Sequence, residues 1–223
     1  IIPARGGSKG LKRKNVKDLR GRPLIARPIL HALESNLVDE VYVTTDDQEI
    51  RNISIDFGAQ CPYLRPANLA ESATTTEETL QYALFEAEKY FNTKFDICVF
   101  LTATDVYREV KWIDECIQTL KNNQELESVF IGYKTTKNYW EKKEDKWLRV
   151  CNWMSQYASR QTRQGIVRED TGVCCASRAS LWRNGRRIGD NVDIIIKESP
   201  LQGLDIHDEF DLYLSNKALT YYG

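Results

Sequence analysis

The sequence has little net charge, no long apolar run and few histidines. Its 223 residues include 31 Lys and Arg against 32 Asp and Glu, so the formal net charge is −1. A protein that binds nucleic acid through bulk charge needs a basic surplus, and we therefore expect no nucleic-acid partner. No apolar run approaches the roughly 20 residues that span a bilayer. We expect no membrane partner, and because no signal-peptide pattern is present we expect a cytoplasmic protein.

Cysteine is present, but its spacing does not suit zinc. No two of the six cysteines form a Cys-x-x-Cys pair, which argues against the common zinc sites. Reduced thiols buried in the core of a cytoplasmic protein are the expectation instead. The length is that of one domain, which we assign to residues 1–223.

Strand-like and helix-like segments alternate along most of the chain. Short β-branched or apolar runs predict strands over residues 1–3, 40–45, 96–102, 128–133 and 191–197, and helical spacing predicts helices over residues 22–35, 47–58, 75–90, 112–121 and 207–222. This order predicts an α/β fold with a Rossmann-like, doubly wound and mostly parallel sheet. Ligands of such sheets bind beyond the carboxyl ends of the strands.

The alternation changes between about residues 134 and 170. Lysines and acidic residues are interleaved there with tryptophan and tyrosine, and Glu144, Asp145 and Lys146 form a polar cluster. We interpret this segment as a small antiparallel excursion that protrudes from the domain and turns at that cluster.

The strongest motif is the glycine-rich, basic loop after the first strand. Residues 4–10 read Ala-Arg-Gly-Gly-Ser-Lys-Gly, and Lys14 and Asn15 follow closely. Glycines let backbone N–H groups turn toward a ligand, and a row of such groups binds anions. The spacing matches neither a Walker A loop nor Gly-x-Gly-x-x-Gly. A phosphate-binding loop and a merely solvated basic loop both fit these residues.

Four blocks together resemble one family. Residues 3–10 with Lys14-Asn15 are similar to the signature loop of the acylneuraminate cytidylyltransferases, which are the CMP-sialic acid synthetases and their relatives. Residues 44–46 (Thr-Thr-Asp), 64–70 (Leu-Arg-Pro-Ala-Asn-Leu-Ala) and 205–211 (Asp-Ile-His-Asp-Glu-Phe-Asp) resemble three further blocks in the same order.

The resemblance implies a transferase that joins CTP to a 2-keto-3-deoxy sugar acid, releasing pyrophosphate and the CMP-sugar. It also implies a homodimer in which the excursion over residues 134–170 protrudes and reaches a second subunit; a hairpin packed on its own subunit is the competing interpretation. Two alternatives remain open: a nucleotidyltransferase of the same fold with another sugar or base, and a catalytically weak homologue that only binds nucleotide or sugar.

The matched blocks imply roles for individual residues. Arg5 and Lys14 would stabilise charge during catalysis. The nucleotide would contact Ala4, Arg5, Gly6, Gly7, Ser8, Lys9, Asn15, Arg65, Thr74 and Thr76. For the threonines a simple helix cap is a competing interpretation, and for Lys9 a side chain that faces solvent.

A metal site is expected at Asp205, where the family has a second Asp two residues on and this chain has His207. Residues two apart in a strand share a face. Mg²⁺ prefers oxygen ligands, whereas imidazole suits metals such as Mn²⁺ better. Three interpretations stay open: His207 contacts phosphate or sugar while Asp205 alone anchors Mg²⁺, Asp208 supplies the second carboxylate, or His207 acts as a base.

The sugar-binding segment departs from the family pattern. Where the family often has Leu-Gln-Pro-Thr-Ser-Pro-Leu-Arg, residues 101–108 read Leu-Thr-Ala-Thr-Asp-Val-Tyr-Arg. Thr102 and Thr104 are therefore candidate sugar contacts. Arg160, Arg163 and Arg168 lie in a segment that resembles the family's Arg-Gln stretch, and they are candidate partners of the sugar carboxylate. The departure leaves open N-acetylneuraminate and modified relatives such as a legionaminate or a pseudaminate.

Overall fold

The computed structural model describes residues 1–71, 73–155, 159, 161–199 and 201–222. The strands are β1 (Ile2–Pro3), β2 (Val43–Thr44), β3 (Ile97–Phe100), β4 (Ser128–Thr135), β5 (Trp140–Lys143), β6 (Lys146–Arg149), β7 (Ile166–Glu169), β8 (Cys175–Arg178) and β9 (Val192–Ile196). The α-helices are α1 (Ala26–Glu34), α2 (Gln48–Asp56), α3 (Thr76–Phe91), α4 (Val110–Asn122), α5 (Ala179–Arg183) and α6 (Glu209–Tyr222).

The central sheet runs in the order β2-β1-β3-β8-β4-β9. Strands β1 and β2 are parallel. Parallel hydrogen bonding also joins the start of β1 to β3, because the Ile1 nitrogen donates to the Val99 carbonyl at 2.7 Å and the Leu101 N–H donates to the Ile1 carbonyl at 3.4 Å. Strand β8 is antiparallel to both β3 and β4, and β4 is parallel to β9. The predicted α/β fold with a mostly parallel sheet is therefore confirmed.

Helices cover both faces of this sheet, as the alternation of side chains along β4 shows. Val129 and Ile131 belong to one core cluster, which also contains Ile113 of α4, whereas Phe130 between them belongs to a second cluster. The second cluster includes Leu84 of α3. Because side chains alternate across a strand, the two clusters lie on opposite faces, as in a doubly wound fold.

The first helix begins at Ala26 rather than near residue 22, so that Pro28 lies in its first turn. Residues before α1 instead pair with the chain just upstream, because the Leu24 N–H donates to the Lys17 carbonyl at 3.0 Å and the Ile25 N–H donates to the Asn15 carbonyl at 2.9 Å. Pro23 forms a β-bridge with Asp18. These contacts fix the turn that follows the glycine-rich loop.

The excursion contains the predicted antiparallel hairpin. Strands β5 and β6 pair with each other, and Glu144 at the turn has a left-handed φ of 53°. Strand β7 then returns antiparallel to the outer part of β4. Several large apolar side chains of the hairpin face solvent, Trp147 with 63 % of its surface exposed. No helix in the described part of the chain is both long and apolar enough to cross a membrane.

Candidate nucleotide-binding site

The glycine-rich loop lies at the carboxyl end of β1 and is anchored to the end of β2. The Ala4 N–H donates to the Thr44 carbonyl at 3.0 Å, which extends the strand pairing by one residue. The Gly6 N–H then donates to Asp46 Oδ1 at 2.9 Å. Asp46 closes the Thr-Thr-Asp block, so two blocks that are distant in sequence meet here.

The buried side chain of Asn15 supports the glycine-rich loop through a hydrogen bond to its backbone. Asn15 Nδ2 donates to the Arg5 carbonyl at 2.9 Å. This contact leaves the Arg5 side chain as the outward-facing part of the residue, and that side chain lines a pocket. Asn15 therefore braces the loop, and its predicted contact with nucleotide remains a prediction.

The rest of the loop is open to solvent. Gly7 and Lys9 are exposed and Ser8 is half-buried. Gly10 is different, because a Cβ atom there would come within 2.5 Å of the His207 carbonyl oxygen. A side chain at residue 10 would push the loop away from the segment that contains Asp205 and His207.

Lys14 reaches the same C-terminal segment with its side chain. Its Nζ donates to the Ile206 carbonyl at 2.8 Å. Burial lowers the pKa of Lys14, while the nearby carboxylates of Asp205 and Asp105 act in the opposite direction and Arg5 lowers the pKa further. The predicted catalytic residues Arg5, Lys14 and Asp205 are thus close enough to influence one another.

Arg65 lies at the wall of a pocket of about 300 Å³, which we call the Arg65 pocket. The pocket is lined by Pro3, Arg5, Arg65, Leu69, Ala70, Glu71, Thr74, Thr75, Thr76 and Thr79. Arg65 is only 5 % exposed, and its buried Nε has no hydrogen-bond partner among the described residues. Burial lowers the pKa of Arg65, while the Asp46 charge opposes this shift. The structure thus brings together four predicted nucleotide contacts, namely Arg5, Arg65, Thr74 and Thr76.

The three neighbouring threonines of this pocket have different roles. Thr75 caps α3 through a capping box, in which its Oγ1 accepts from the Glu78 N–H at 3.1 Å and the Glu78 carboxylate accepts from the Thr75 N–H at 2.8 Å. Thr74 donates from Oγ1 to the Asn68 carbonyl at 3.1 Å. Thr76 is exposed at the start of α3. The cap interpretation therefore applies to Thr75 and not to Thr74 or Thr76.

Asp205 faces a second carboxylate, Asp105, across an antiparallel bridge. The Ile206 N–H donates to the Thr104 carbonyl at 3.1 Å and the Val106 N–H donates to the Leu204 carbonyl at 3.3 Å. These bonds flank residues 105 and 205, which makes them a non-hydrogen-bonded pair with side chains close together on one face. Burial, with a further contribution from the Asp205 charge, raises the pKa of Asp105 to about 6.

His207 and Asp208 are held in different ways. The prediction that residues 205 and 207 point the same way is confirmed, because His207 Nε2 lies 2.9 Å from Asp205 Oδ2. Asp208 caps α6, since its Oδ1 accepts from the Asp211 N–H at 2.9 Å. One oxygen of Asp208 is therefore engaged in the cap.

The Asp105–Asp205 carboxylate pair has the chemistry that Mg²⁺ requires of its protein ligands. Asp205 Oδ1 is buried and has no hydrogen-bond partner within the described chain. No group of three or more His, Cys, Asp or Glu side chains in the described ranges is arranged as a metal cluster. Mg²⁺, however, commonly binds one or two carboxylates together with substrate phosphates and water, so a pair of carboxylates is sufficient.

The predicted sugar contacts lie beside this pair. Thr102 Oγ1 donates to Asp105 Oδ2 at 2.6 Å, and Thr104 Oγ1 lies 3.4 Å from Thr102 Oγ1. Arg168 forms a two-point ion pair with Asp170, with bonds of 2.6 and 3.0 Å. A sugar carboxylate that binds Arg168 must therefore share it with Asp170. Arg160 lies outside the described residues.

Sequence analysis missed two functional candidates in the same segment, Asp105 and Arg108. Arg108 is 5 % exposed and donates to the carbonyl oxygens of Thr102 at 3.2 Å and Gly172 at 2.7 Å, and to that of Val173. A signal was available, because Asp105 and Arg108 are charged residues in the short loop between β3, which ends at Phe100, and α4, which begins at Val110, and this segment departs from the family pattern.

Comparison with known proteins identifies the chain's relatives. It is 40% identical over 105 residues to a pseudaminic acid cytidylyltransferase of Campylobacter jejuni, covering 46% of this chain and 45% of the relative. It is 35% identical over 121 residues to a CMP-N,N'-diacetyllegionaminic acid synthase of Legionella pneumophila, covering 54% of this chain and 52% of that one. The matched part of the chain thus spans about half the length of these curated relatives.

Solved structures give the fold, and a family profile gives the family. A CMP:2-keto-3-deoxy-manno-octonic acid synthetase complexed with CTP superposes with a TM-score of 0.71 at 15% identity, covering 99% of this chain and 97% of the other. That identity supports the fold alone. The profile of the cytidylyltransferase family matches residues 1–171, which is well over half of the sequence. The chain therefore belongs to the cytidylyltransferase family.

Proposed function

We propose that the protein joins CTP to a 2-keto-3-deoxy sugar acid of the nonulosonate class, releasing pyrophosphate and the CMP-sugar. One observation carries the proposal: the glycine-rich loop, the Arg65 pocket and the Asp105–Asp205 pair meet at the carboxyl ends of the parallel strands of one mostly parallel sheet. Relatives named for pseudaminic and diacetyllegionaminic acid support the nonulosonate class.

The glycine-rich loop is proposed to hold the triphosphate. The N–H groups of Gly6 and Ser8 already donate to Asp46 and to the Gly6 carbonyl, so the exposed Gly7 and Lys9 and the half-buried Ser8 hydroxyl are the proposed contacts of the phosphates. Arg5 lies between this loop and the Arg65 pocket. It can therefore contact a phosphate while the base occupies the pocket.

The Arg65 pocket is proposed to bind cytosine. Arg65 Nε is buried without a partner in the described structure, and a buried donor of this kind is satisfied by an acceptor on a ligand. Thr74 and Thr76 lie on the same wall. Cytosine offers a carbonyl and a ring nitrogen as acceptors, together with an exocyclic amine as a donor.

We assign a divalent cation to Asp205 and Asp105, with Mg²⁺ as the expected ion and Mn²⁺ as an alternative. The buried, unpartnered Asp205 Oδ1 and the raised pKa of Asp105 both indicate negative charge that a cation would neutralise. When bound, the cation supplies positive charge against the phosphates. His207 holds the other oxygen of Asp205 and so orients this ligand.

The chain's own contribution to the reaction is to position groups and stabilise charge. The hydroxyl at the sugar's anomeric carbon forms a bond to the α-phosphorus as the bond to pyrophosphate breaks. Charge that develops on the phosphoryl oxygens is stabilised by fixed cations, for which Lys14 and Arg5 are proposed. Thr102 and Thr104 would contact the sugar, and Arg168 and Arg160 its carboxylate.

The assembly and location follow from the same proposal. A second subunit is proposed to cover the exposed apolar side chains of the β5–β6 hairpin, of which Trp140 and Trp147 are the largest. Reduced, mostly buried cysteines fit the cytoplasm. The homodimer and the cytoplasmic location are both proposals.

A nucleotide panel tests the function directly. Thermal unfolding is measured with CTP, UTP, ATP and GTP at equal concentrations in Mg²⁺, and CTP is expected to give the largest stabilisation. Pyrophosphate release is then measured with CTP and a panel of sugar acids. A larger stabilisation by UTP, ATP or GTP than by CTP would favour a nucleotidyltransferase with another base, and CTP binding without turnover on any acid would favour a weak, binding-only homologue.

A further inference from the structure

A second cavity, of about 460 Å³, lies between α1 and the segment that follows β3. Its charged lining consists of Arg20, Arg22, Arg27, His31 and Arg108, with Glu34 as the acidic member. We call it the basic pocket. It shares no lining residue with the Arg65 pocket, and its volume lies in the range of small-molecule sites.

The described lining of the basic pocket carries more positive than negative charge, with four arginines against Glu34, although Asp18 acts on Arg27 and Asp105 on Arg108 from nearby. Burial, and then the charges of Arg20 and Arg22, lower the pKa of Arg27. Burial, and then the charge of Arg108, lower the pKa of His31 to about 4. Among the described residues, none of the three arginines at positions 20, 22 and 27 forms an ion pair with a carboxylate.

Two buried nitrogens of this pocket also lack hydrogen-bond partners within the described chain. They are Nε of Arg27 and Nδ1 of His31. Buried polar atoms are nearly always satisfied by protein, water or ligand. The two residues lie one helical turn apart on α1, so their side chains share a face. A single acceptor-rich ligand can therefore satisfy both.

Other members of the pocket have structural tasks that account for their charge. Arg20 donates to the Leu219 carbonyl near the end of α6. Arg108 donates to the carbonyl oxygens of Thr102 and Gly172. Arg27 likewise donates from Nη2 to the Leu19 carbonyl at 3.3 Å, but these carbonyl contacts account neither for the buried Nε of Arg27 nor for the exposed Arg22.

We infer that the basic pocket binds a small phosphate-bearing anion at a site separate from the proposed CTP site. Guanidinium groups bind phosphate in a two-point geometry, and several of them converging suits a ligand with more than one negative charge. Arg108 connects the pocket to Thr102. A bound anion would therefore touch a residue that braces the proposed sugar-binding segment. The inference does not depend on the proposed reaction.

The two histidines of the chain provide one reporter for each site. His31 lines the basic pocket and His207 contacts Asp205. Imidazole resonances of the full chain, assigned with His31→Asn and His207→Asn, are followed by NMR during titration with inorganic phosphate, with pyrophosphate and with CTP. We expect a saturable shift of the His31 signal with at least one of the three. The ligand that saturates the His31 shift at the lowest concentration shows whether the pocket prefers free phosphate, a diphosphate or a nucleotide.

Charge-removal variants test where the anion sits. Arg22→Gln and Arg27→Gln should each weaken the response of His31 by roughly tenfold or more and leave the CTP response of His207 unchanged. Lys89→Gln, which removes an exposed charge on α3, should change neither response. A His31 signal that never saturates, or one that saturates together with His207 and persists in Arg22→Gln, would overturn the inference.

Discussion

Lys14 Nζ donates a 2.8 Å hydrogen bond to the carbonyl oxygen of Ile206, a residue 192 positions later in the chain. This bond ties the glycine-rich loop to the segment that carries Asp205 and His207. A phosphate held by the loop is thereby held next to the carboxylates. The spatial relation between the two halves of the candidate site depends on this contact and on the close approach at Gly10.

Asp105 and Asp205 are expected to act together as metal ligands. Asp105→Asn and Asp205→Asn should each weaken Mn²⁺ binding in the presence of CTP by roughly tenfold or more, because each removes a charged oxygen ligand. Binding is measured by the loss of the free Mn²⁺ signal in electron paramagnetic resonance.

Asp208→Asn serves as the control for the metal experiment. Asp208 accepts from the Asp211 N–H as a helix cap, and Asn is an equally good cap. Mn²⁺ affinity should therefore stay within about twofold of the unmodified protein. A large loss of affinity in Asp208→Asn, with Asp105→Asn unaffected, would move the second ligand to residue 208.

Substitutions of Thr75 and Thr76 should have different effects, the first on the stability of the fold and the second on nucleotide binding. Thr75→Ala removes the capping box of α3 and should lower the free energy of unfolding by about 1 kcal/mol, as measured by urea unfolding. Thr76→Ala should leave stability nearly unchanged and weaken CTP binding, as measured by calorimetry. The reverse pattern would mean that the base-binding role of Thr76 is wrong.

His31 makes stability depend on pH. Its pKa is lowered to about 4 in the folded state, from about 6.5. Between these values the unfolded chain binds a proton that the folded protein does not bind, so the free energy of unfolding falls as pH is lowered through this window. From pH 7 to pH 5 the loss due to His31 should be about 2 kcal/mol.

Urea unfolding in a phosphate-free buffer measures this pH dependence. His31→Gln should lose less stability than the unmodified protein between pH 7 and pH 5, whereas Lys89→Gln, at an exposed position on α3, should lose as much as the unmodified protein. Parallel curves for all three proteins would show that burial of His31 does not suppress its protonation.

The β5–β6 hairpin is expected to form the dimer contact. Trp147→Glu places a charge on its most exposed tryptophan and should convert a dimer into a monomer in sedimentation velocity experiments, because burying an unpaired charge is costly. Tyr221→Glu, which alters an 83 % exposed aromatic side chain on α6, is the control and should remain a dimer. A monomeric unmodified protein would contradict the proposal.

Sequence patterns predicted where the candidate site lies in the fold better than they predicted which of its residues are in contact. Alternation of strands and helices was enough to predict the parallel sheet, and the loop from Ala4 to Asn15 lies at a strand end as expected. The same patterns missed β8 and α5, since residues 173–176 are buried and carry no helical or alternating period. The secondary structure of such a segment depends on which distant strands it pairs with, and the local spacing of residues does not reveal that pairing.

The same difference between local pattern and long-range contact applies to the candidate metal ligands. Asp205 and His207 could be paired from the two-residue period of a strand, and they are in contact. Asp105 could not be joined to Asp205 in this way, because the bridge between them depends on where two distant loops meet. Its raised pKa reflects burial first, which is a property of the folded state alone.

The most direct test of the proposed reaction compares Lys14→Gln with Lys12→Gln in a ³¹P NMR assay with CTP, Mg²⁺ and a panel of nonulosonic acids. The unmodified protein should convert one acid into a CMP-sugar, giving one phosphodiester signal and one equivalent of pyrophosphate. Lys12→Gln, in the same loop but exposed, should retain this rate, and Lys14→Gln should lose roughly 100-fold or more. An equal rate in both variants, or no CMP-sugar from any acid with the unmodified protein, would contradict the account.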